Sequence, residues 1–124
     1  MTKTYNFNGR TEYIDKTALA SAPVFKSKAK LQFFKVDHDI SCADLEREYS
    51  KLGLVPASVE MLCKYDKKNR KQMDEMKYIA TQWKDADGNW CYVAFSRWCS
   101  DGRDVDVDRL DFDWDNRWWF AGLE

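Results

Sequence analysis

Seven aspartates fall between positions 101 and 115: Asp101, Asp104, Asp106, Asp108, Asp111, Asp113 and Asp115, with Arg103 and Arg109 as the only basic breaks. The D-x-D-x-D spacing of Asp104, Asp106 and Asp108 superficially suggests calcium. A helix–loop–helix calcium loop needs a glycine at its sharp turn and a bidentate glutamate at its end, whereas here valines fill the intervening positions. In an extended strand, alternate aspartates project to one side about 7 Å apart and cannot converge on one ion. The ordinary reading is a solvated strand face and loop that discourage edge pairing. A polyanionic imitation of a nucleic-acid backbone would call for a strongly negative molecule, and 20 basic against 21 acidic side chains leave a net charge of only −1.

Other candidates are weaker. His38, in Asp37-His38-Asp39, could hold a metal or relay a proton, and with the aspartates it would centre a small metal-dependent hydrolase. As the only histidine it excludes two-His metal sites and Ser-His catalysis elsewhere. Glu75-Met76-Lys77 matches the last element of the acidic–lysine nuclease pattern, but that triplet belongs on a strand and here it precedes one. Cys42, Cys63, Cys91 and Cys99 form no C-x-x-C pair, and no base can be named for any of them, so four buried, unreactive thiols are expected. Neither a catalytic residue, a metal site nor a cofactor is assigned. Lys64, Lys67, Lys68, Arg70, Lys71 and Lys77 make a basic segment diluted by Asp66, Asp74 and Glu75. Through Lys67, Lys68, Arg70 and Lys71 it could contact phosphates, although no aromatics are interleaved to stack bases.

All six tryptophans (Trp83, Trp90, Trp98, Trp114, Trp118 and Trp119) lie in the last third, among Tyr78, Tyr92, Phe95, Phe112 and Phe120. Aromatic side chains bury the most area, so this third builds either most of the core or an exposed adhesive face.

The elements that must position these residues can be sketched. Asn8-Gly9 predicts a hairpin joining Tyr5–Phe7 to Thr11–Ile14. Residues 15–30 read as a loop with a short helical turn after Asp15, and Leu31–Val36 as a buried strand. Ser41 caps a helix with Leu45, Tyr49 and Leu52 on one stripe, and Gly53 stops it. Ser58 caps a second helix with Val59, Leu62 and Cys63 inward, and Lys64–Lys77 continues it. The short link through Pro56 predicts that the two helices are neighbours.

Ile79–Trp83 and Cys91–Phe95 flank Asp85-Ala86-Asp87-Gly88-Asn89, a hairpin loop with Gly88 left-handed. That register sets Trp83 opposite Cys91, Thr81 opposite Val93 and Ile79 opposite Phe95, on a face that meets the helices. The other face carries Tyr78, Gln82, Lys84, Trp90, Tyr92, Ser96 and Trp98. A third strand holds Val105 and Val107, and Trp118–Ala121 forms a fourth.

Two stretches, Gly53–Leu62 and Trp83–Tyr92 running on to Trp118-Trp119-Phe120-Ala121-Gly122-Leu123, resemble a scattered family of short bacterial proteins. The resemblance spans the last two-thirds of the chain. It implies the order helix, helix, aromatic hairpins, and no activity.

With 44% hydrophobic and 33% charged residues, the 124-residue chain is expected to be a single α+β domain over residues 1–124. Two or three helices pack on one face of a twisted, mostly antiparallel sheet of four or more strands. No apolar run nears the roughly 20 residues of a membrane span, nor does the N-terminus look like a secretory signal, so no membrane partner and a cytoplasmic location are expected. The leading functional expectation is a non-enzymatic binding protein, a regulator or inhibitor acting as monomer or homodimer. It would meet a protein partner through Trp90, Tyr92, Trp98 and Trp114 beside Asp104, Asp106 and Asp108. A nucleic-acid-binding accessory and the hydrolase follow.

Overall fold

The computed structural model describes residues 5–24, 29–97 and 102–124. Expectations resting on Trp98, Cys99 and Asp101 lie outside the described residues. Among those described, the order is β1 (Thr11–Ile14), α1 (Lys16–Ala20), β2 (Leu31–Phe34), α2 (Cys42–Lys51), β3 (Val55–Pro56), α3 (Val59–Lys68), α4 (Arg70–Met76), β4 (Tyr78–Lys84), β5 (Trp90–Arg97), β6 (Arg103–Arg109) and β7 (Trp119–Leu123). The strands form one sheet in the order β1-β6-β5-β4-β7-β2, with β3 pairing β7 off this path.

Local signals work where the chain settles its own geometry. The Asp15, Ser41 and Ser58 side chains accept from Ala18, Asp44 and Met61 N–H, capping α1, α2 and α3. Gly53 follows α2 at φ 70°. The β4–β5 hairpin has the expected register, Ile79 opposite Phe95, Thr81 opposite Val93 and Trp83 opposite Cys91. Asp85 and Asn89 close it, with Gly88 at φ 82°.

Five expectations about assembly are corrected. The sheet is mixed, because β1–β6 and β4–β7 are parallel pairs. The Asn8-Gly9 turn forms, with φ 58° and 79° and Arg10 N–H donating to Phe7 O, but residues 5–7 do not pair with β1. Instead Phe7 is buried against Phe95, and β1 runs alongside β6. The basic helix breaks at Asn69 (φ −132°, ψ 41°) into α3 and α4, and Leu52, beyond the last residue of α2, is exposed.

Lastly, helices cover both faces. Side chains alternate along a strand, and Ile79, Trp83, Cys91, Val93, Phe95, Val105 and Val107 join one cluster with α1, α3 and α4. Ala80, Ala94 and Phe120 join another with Leu45 and Tyr49 of α2. The chain passes from α2 to α3 through β3, so the two helices end on opposite sides of the sheet rather than side by side.

The second face also receives a crossover. β6 is antiparallel to β5 and β5 to β4, while β4 is parallel to β7. β6 and β7 therefore run the same way, and residues 110–118 must span β5 and β4 to join them. Trp114 anchors this crossover. Its backbone exchanges two 2.8 Å hydrogen bonds with Ile40, and its ring lies edge-on to Tyr92, Phe112, Trp118 and Phe120.

Candidate functional site

The site expected from the sequence was an open aromatic sheet face beside an acidic strip, and the structure divides it. Trp114 is fully buried, a correction to its placement on an exposed face. Its Nε1–H donates to Gln82 Oε1 at 3.1 Å, and Gln82 Nε2 donates to the Cys42 carbonyl at 2.8 Å. One buried glutamine thus ties the crossover and α2 to the centre of the sheet. The sequence signal is Ala80 and Ala94, paired across β4 and β5 on this face: two small residues leave room for a large ring from elsewhere.

Outside the crossover, this face over β5, β6 and β1 is exposed at Thr11, Tyr13 and Asp108 and half-buried at Tyr92, Ser96, Asp104 and Asp106 among the described residues. Asp108 lies opposite Tyr92, Asp106 is flanked by Ala94 and Tyr13, and Asp104 by Ser96 and Thr11. Period two puts all of these on the crossover face. Tyr13 is 58% exposed and Phe112 44%, and the Phe112 ring stands against Tyr92. Partial burial, followed by the charges of Asp104 and Asp108, raises the Asp106 carboxyl above the usual carboxylate range. Burial pushes the Tyr92 phenol up to about 12, with Asp106, Asp108 and Asp111 adding to the effect. Trp90 is half-buried at the far end, with Lys84 Nζ 4.8 Å above its ring. Of the expected set, then, Tyr92, Trp90, Asp104, Asp106 and Asp108 share one surface, joined by Tyr13 and Phe112, which the sequence did not single out.

The other candidates are dispersed. Among the described residues no three His, Cys, Asp or Glu side chains gather as a metal site requires. The His38 ring is solvent-exposed and bonded to Asp37 Oδ1 at 2.8 Å, which lowers the Asp37 pKa. Cys42, Cys63 and Cys91 are free and buried. Burial is the main cause raising each thiol, Cys63 to about 12, which disfavours a nucleophilic thiolate. Cys63 borders an open cleft of about 230 Å³ that also touches Tyr5, Asn6, Asn8, Glu60, Lys64 and Lys67.

In the basic segment Lys67, Lys68 and Lys71 are exposed, but Arg70 has a structural task. Its Nε lies 3.1 Å from Asp66 and its Nη2 donates to the Asn8 carbonyl. It belongs to a buried ion network that the sequence did not reveal. Arg10 grips Asp66 through Nε and Nη2 at 3.0 and 2.9 Å, and Asp74 receives Arg103 at 2.9 Å, Arg10 at 3.5 Å and Arg97 at 3.6 Å. Arg10, Asp66 and Asp74 are all buried. The network fastens α3 and α4 to the Asn8-Gly9 turn and to β5 and β6.

The fold and site thus define an α+β protein with helices on both faces of a mixed sheet and an acidic, aromatic surface toward one edge. No helix among the described residues is long and apolar enough to cross a membrane. Comparison with known protein families, curated proteins and solved structures finds no match, so function rests on the site itself.

Proposed function

We propose that this is a non-enzymatic binding protein of the regulator or inhibitor type, and that it engages a protein partner through the acidic–aromatic surface of β5, β6 and β1. The observation that carries this reading is the alignment of Asp104, Asp106 and Asp108 along β6 with exposed Tyr13 and Phe112 and half-buried Tyr92 around them. Beyond its partial burial, the Asp106 carboxylate feels the charges of Asp104 and Asp108, and a cationic partner turns that repulsion into attraction. Tyrosine beside it supplies rigid, amphipathic contact area with a polar tip. The partner surface implied is rich in lysine or arginine. Trp114 and Gln82 contribute by holding the crossover that supports Tyr92 and Phe112.

The test is capture at low salt by immobilised protein, followed by titration of the purified partner against Asp104→Asn/Asp106→Asn/Asp108→Asn and, separately, Tyr13→Ser. The triple variant should weaken binding at least tenfold and flatten its salt dependence. A partner whose affinity and salt response are the same for wild type and triple variant would refute the proposal.

A further inference from the structure

Among the described residues the strand order ends on β1 and β2, with β3 off this path, and the two ends differ in what they present. β2 is bracketed by Lys30 and Lys35, the kind of charge that guards an edge against pairing. β1 reads Thr-Glu-Tyr-Ile, β-favouring apart from Glu12, with neither lysine nor proline. Its first three residues are exposed, and among the described residues no strand pairs on its outer side. Asp15 N–H donates inward to the Val107 carbonyl. Alternation then turns Thr11 and Tyr13 toward β6, while the N–H and C=O groups of Glu12 and Ile14 point outward.

We propose that β1 accepts an extended, basic segment of the partner as an additional strand. This rests on the reading of the acidic–aromatic face as the binding surface and specifies how the partner is held there. Charge decides the occupant. A strand laid against β1 sits about two strand spacings, roughly 10 Å, from β6. From there every second side chain reaches over Tyr13 toward Asp104 and Asp106, and the intervening ones approach Glu12. Lysine or arginine suits those positions, with the Tyr13 ring offering a cation–π contact on the way. Main-chain bonds to Glu12 and Ile14 supply the pairing, and the aspartates supply the preference for a cation. A second copy of this chain fits poorly, because pairing two β1 strands sets Glu12 and two acidic strips near their own duplicates.

The experiment uses the full chain, 15N-labelled, and a nine-residue peptide alternating arginine and threonine. A control peptide of the same sequence carries an N-methyl group on every residue, which keeps its side-chain charge and removes the N–H donors of both edges. The expected results are binding of the first peptide, slowed exchange of the Glu12 and Ile14 amides, and at least tenfold weaker binding of the methylated peptide. Glu12→Pro, which deletes an outward N–H, should reproduce that loss, whereas Glu12→Gln should lose much less. Equal binding of both peptides with unchanged Glu12 and Ile14 exchange overturns strand addition. If the Asp104, Asp106 and Asp108 triple variant then still loses the peptide, the acidic-face reading survives. Should that variant bind as wild type does, or should neither peptide bind, both readings fall.

Discussion

Gln82→Leu should be far more damaging than its near-isosteric shape suggests. Gln82 is 2% exposed and the Trp114 ring it serves 0%, so water cannot replace the lost partners. The substitution strands the Trp114 Nε1–H in the interior, at about 1–3 kcal/mol. The Cys42 carbonyl, at the first residue of α2, keeps its helical bond and loses a second one, about 0.5–1.5 kcal/mol more. A total of about 2–4 kcal/mol follows, a large part of the 5–15 kcal/mol typical of a domain. Trp114→Phe strands Gln82 Oε1 instead and leaves a void, at about 2–4 kcal/mol. In the double variant neither the indole N–H nor the amide oxygen is left unpaired. Its cost should therefore fall short of the sum of the single variants by about 1–2 kcal/mol. Urea unfolding followed by far-UV circular dichroism measures all four proteins, with a constant m-value confirming comparable transitions. Additivity within 0.5 kcal/mol (the usual scatter for uncoupled sites), or a Gln82→Leu cost below that figure, would show that the glutamine does not latch the crossover.

Two further predictions concern charge. Asp66→Ala removes the bidentate partner of buried Arg10 and the ion-pair partner of Arg70, and it should cost about 3–5 kcal/mol by chemical denaturation. Arg10→Met/Asp66→Leu should recover most of that loss, and a double variant as unstable as the single one would contradict the charge-stranding account. Asp106→Asn should stabilise. Because the Asp106 pKa is raised on folding from 3.8, the folded state holds more protons than the unfolded one between 3.8 and the raised value. Stability therefore falls as pH rises through that window, and the penalty is fully present above it. Melting curves should show the variant with a higher Tm at pH 7 and a gain that shrinks as pH drops toward 3.8. A gain independent of pH, or a lower Tm at pH 7, would mean that burial and the neighbouring Asp104 and Asp108 charges do not penalise the carboxylate.

Elements whose geometry is settled within a few residues were legible in the chain. Ser41 and Ser58 cap helices because their side chains satisfy orphan N–H groups three residues ahead. Gly88 fixes the β4–β5 turn because a left-handed position selects it. The period-two alternation from Tyr78 to Phe95 specified which side chains share a face. That alternation sets Trp90 and Tyr92 on one face, while their sharing it with Asp104, Asp106 and Asp108 comes from the β5–β6 pairing. The place of Tyr13 beside Asp106 comes from a parallel pairing between residues 93 positions apart.

Long-range choices were decided only in three dimensions. The aspartate-rich link from β6 to β7 carries no helical periodicity, so nothing local marks it as a parallel crossover. Yet its path buries Trp114, one of the rings expected on the exposed face, against Tyr92 and Trp118. The basic run likewise looks uniform along the chain, while folding assigns Arg70 to Asp66 in the interior and leaves Lys67, Lys68 and Lys71 in water. Short-range geometry, capping and alternation are written into neighbouring residues because they depend only on those residues. Which face a helix or crossover covers, and which charges are buried, depend on contacts among distant segments that compete for the same apolar surface, and that competition is settled only when the whole chain packs.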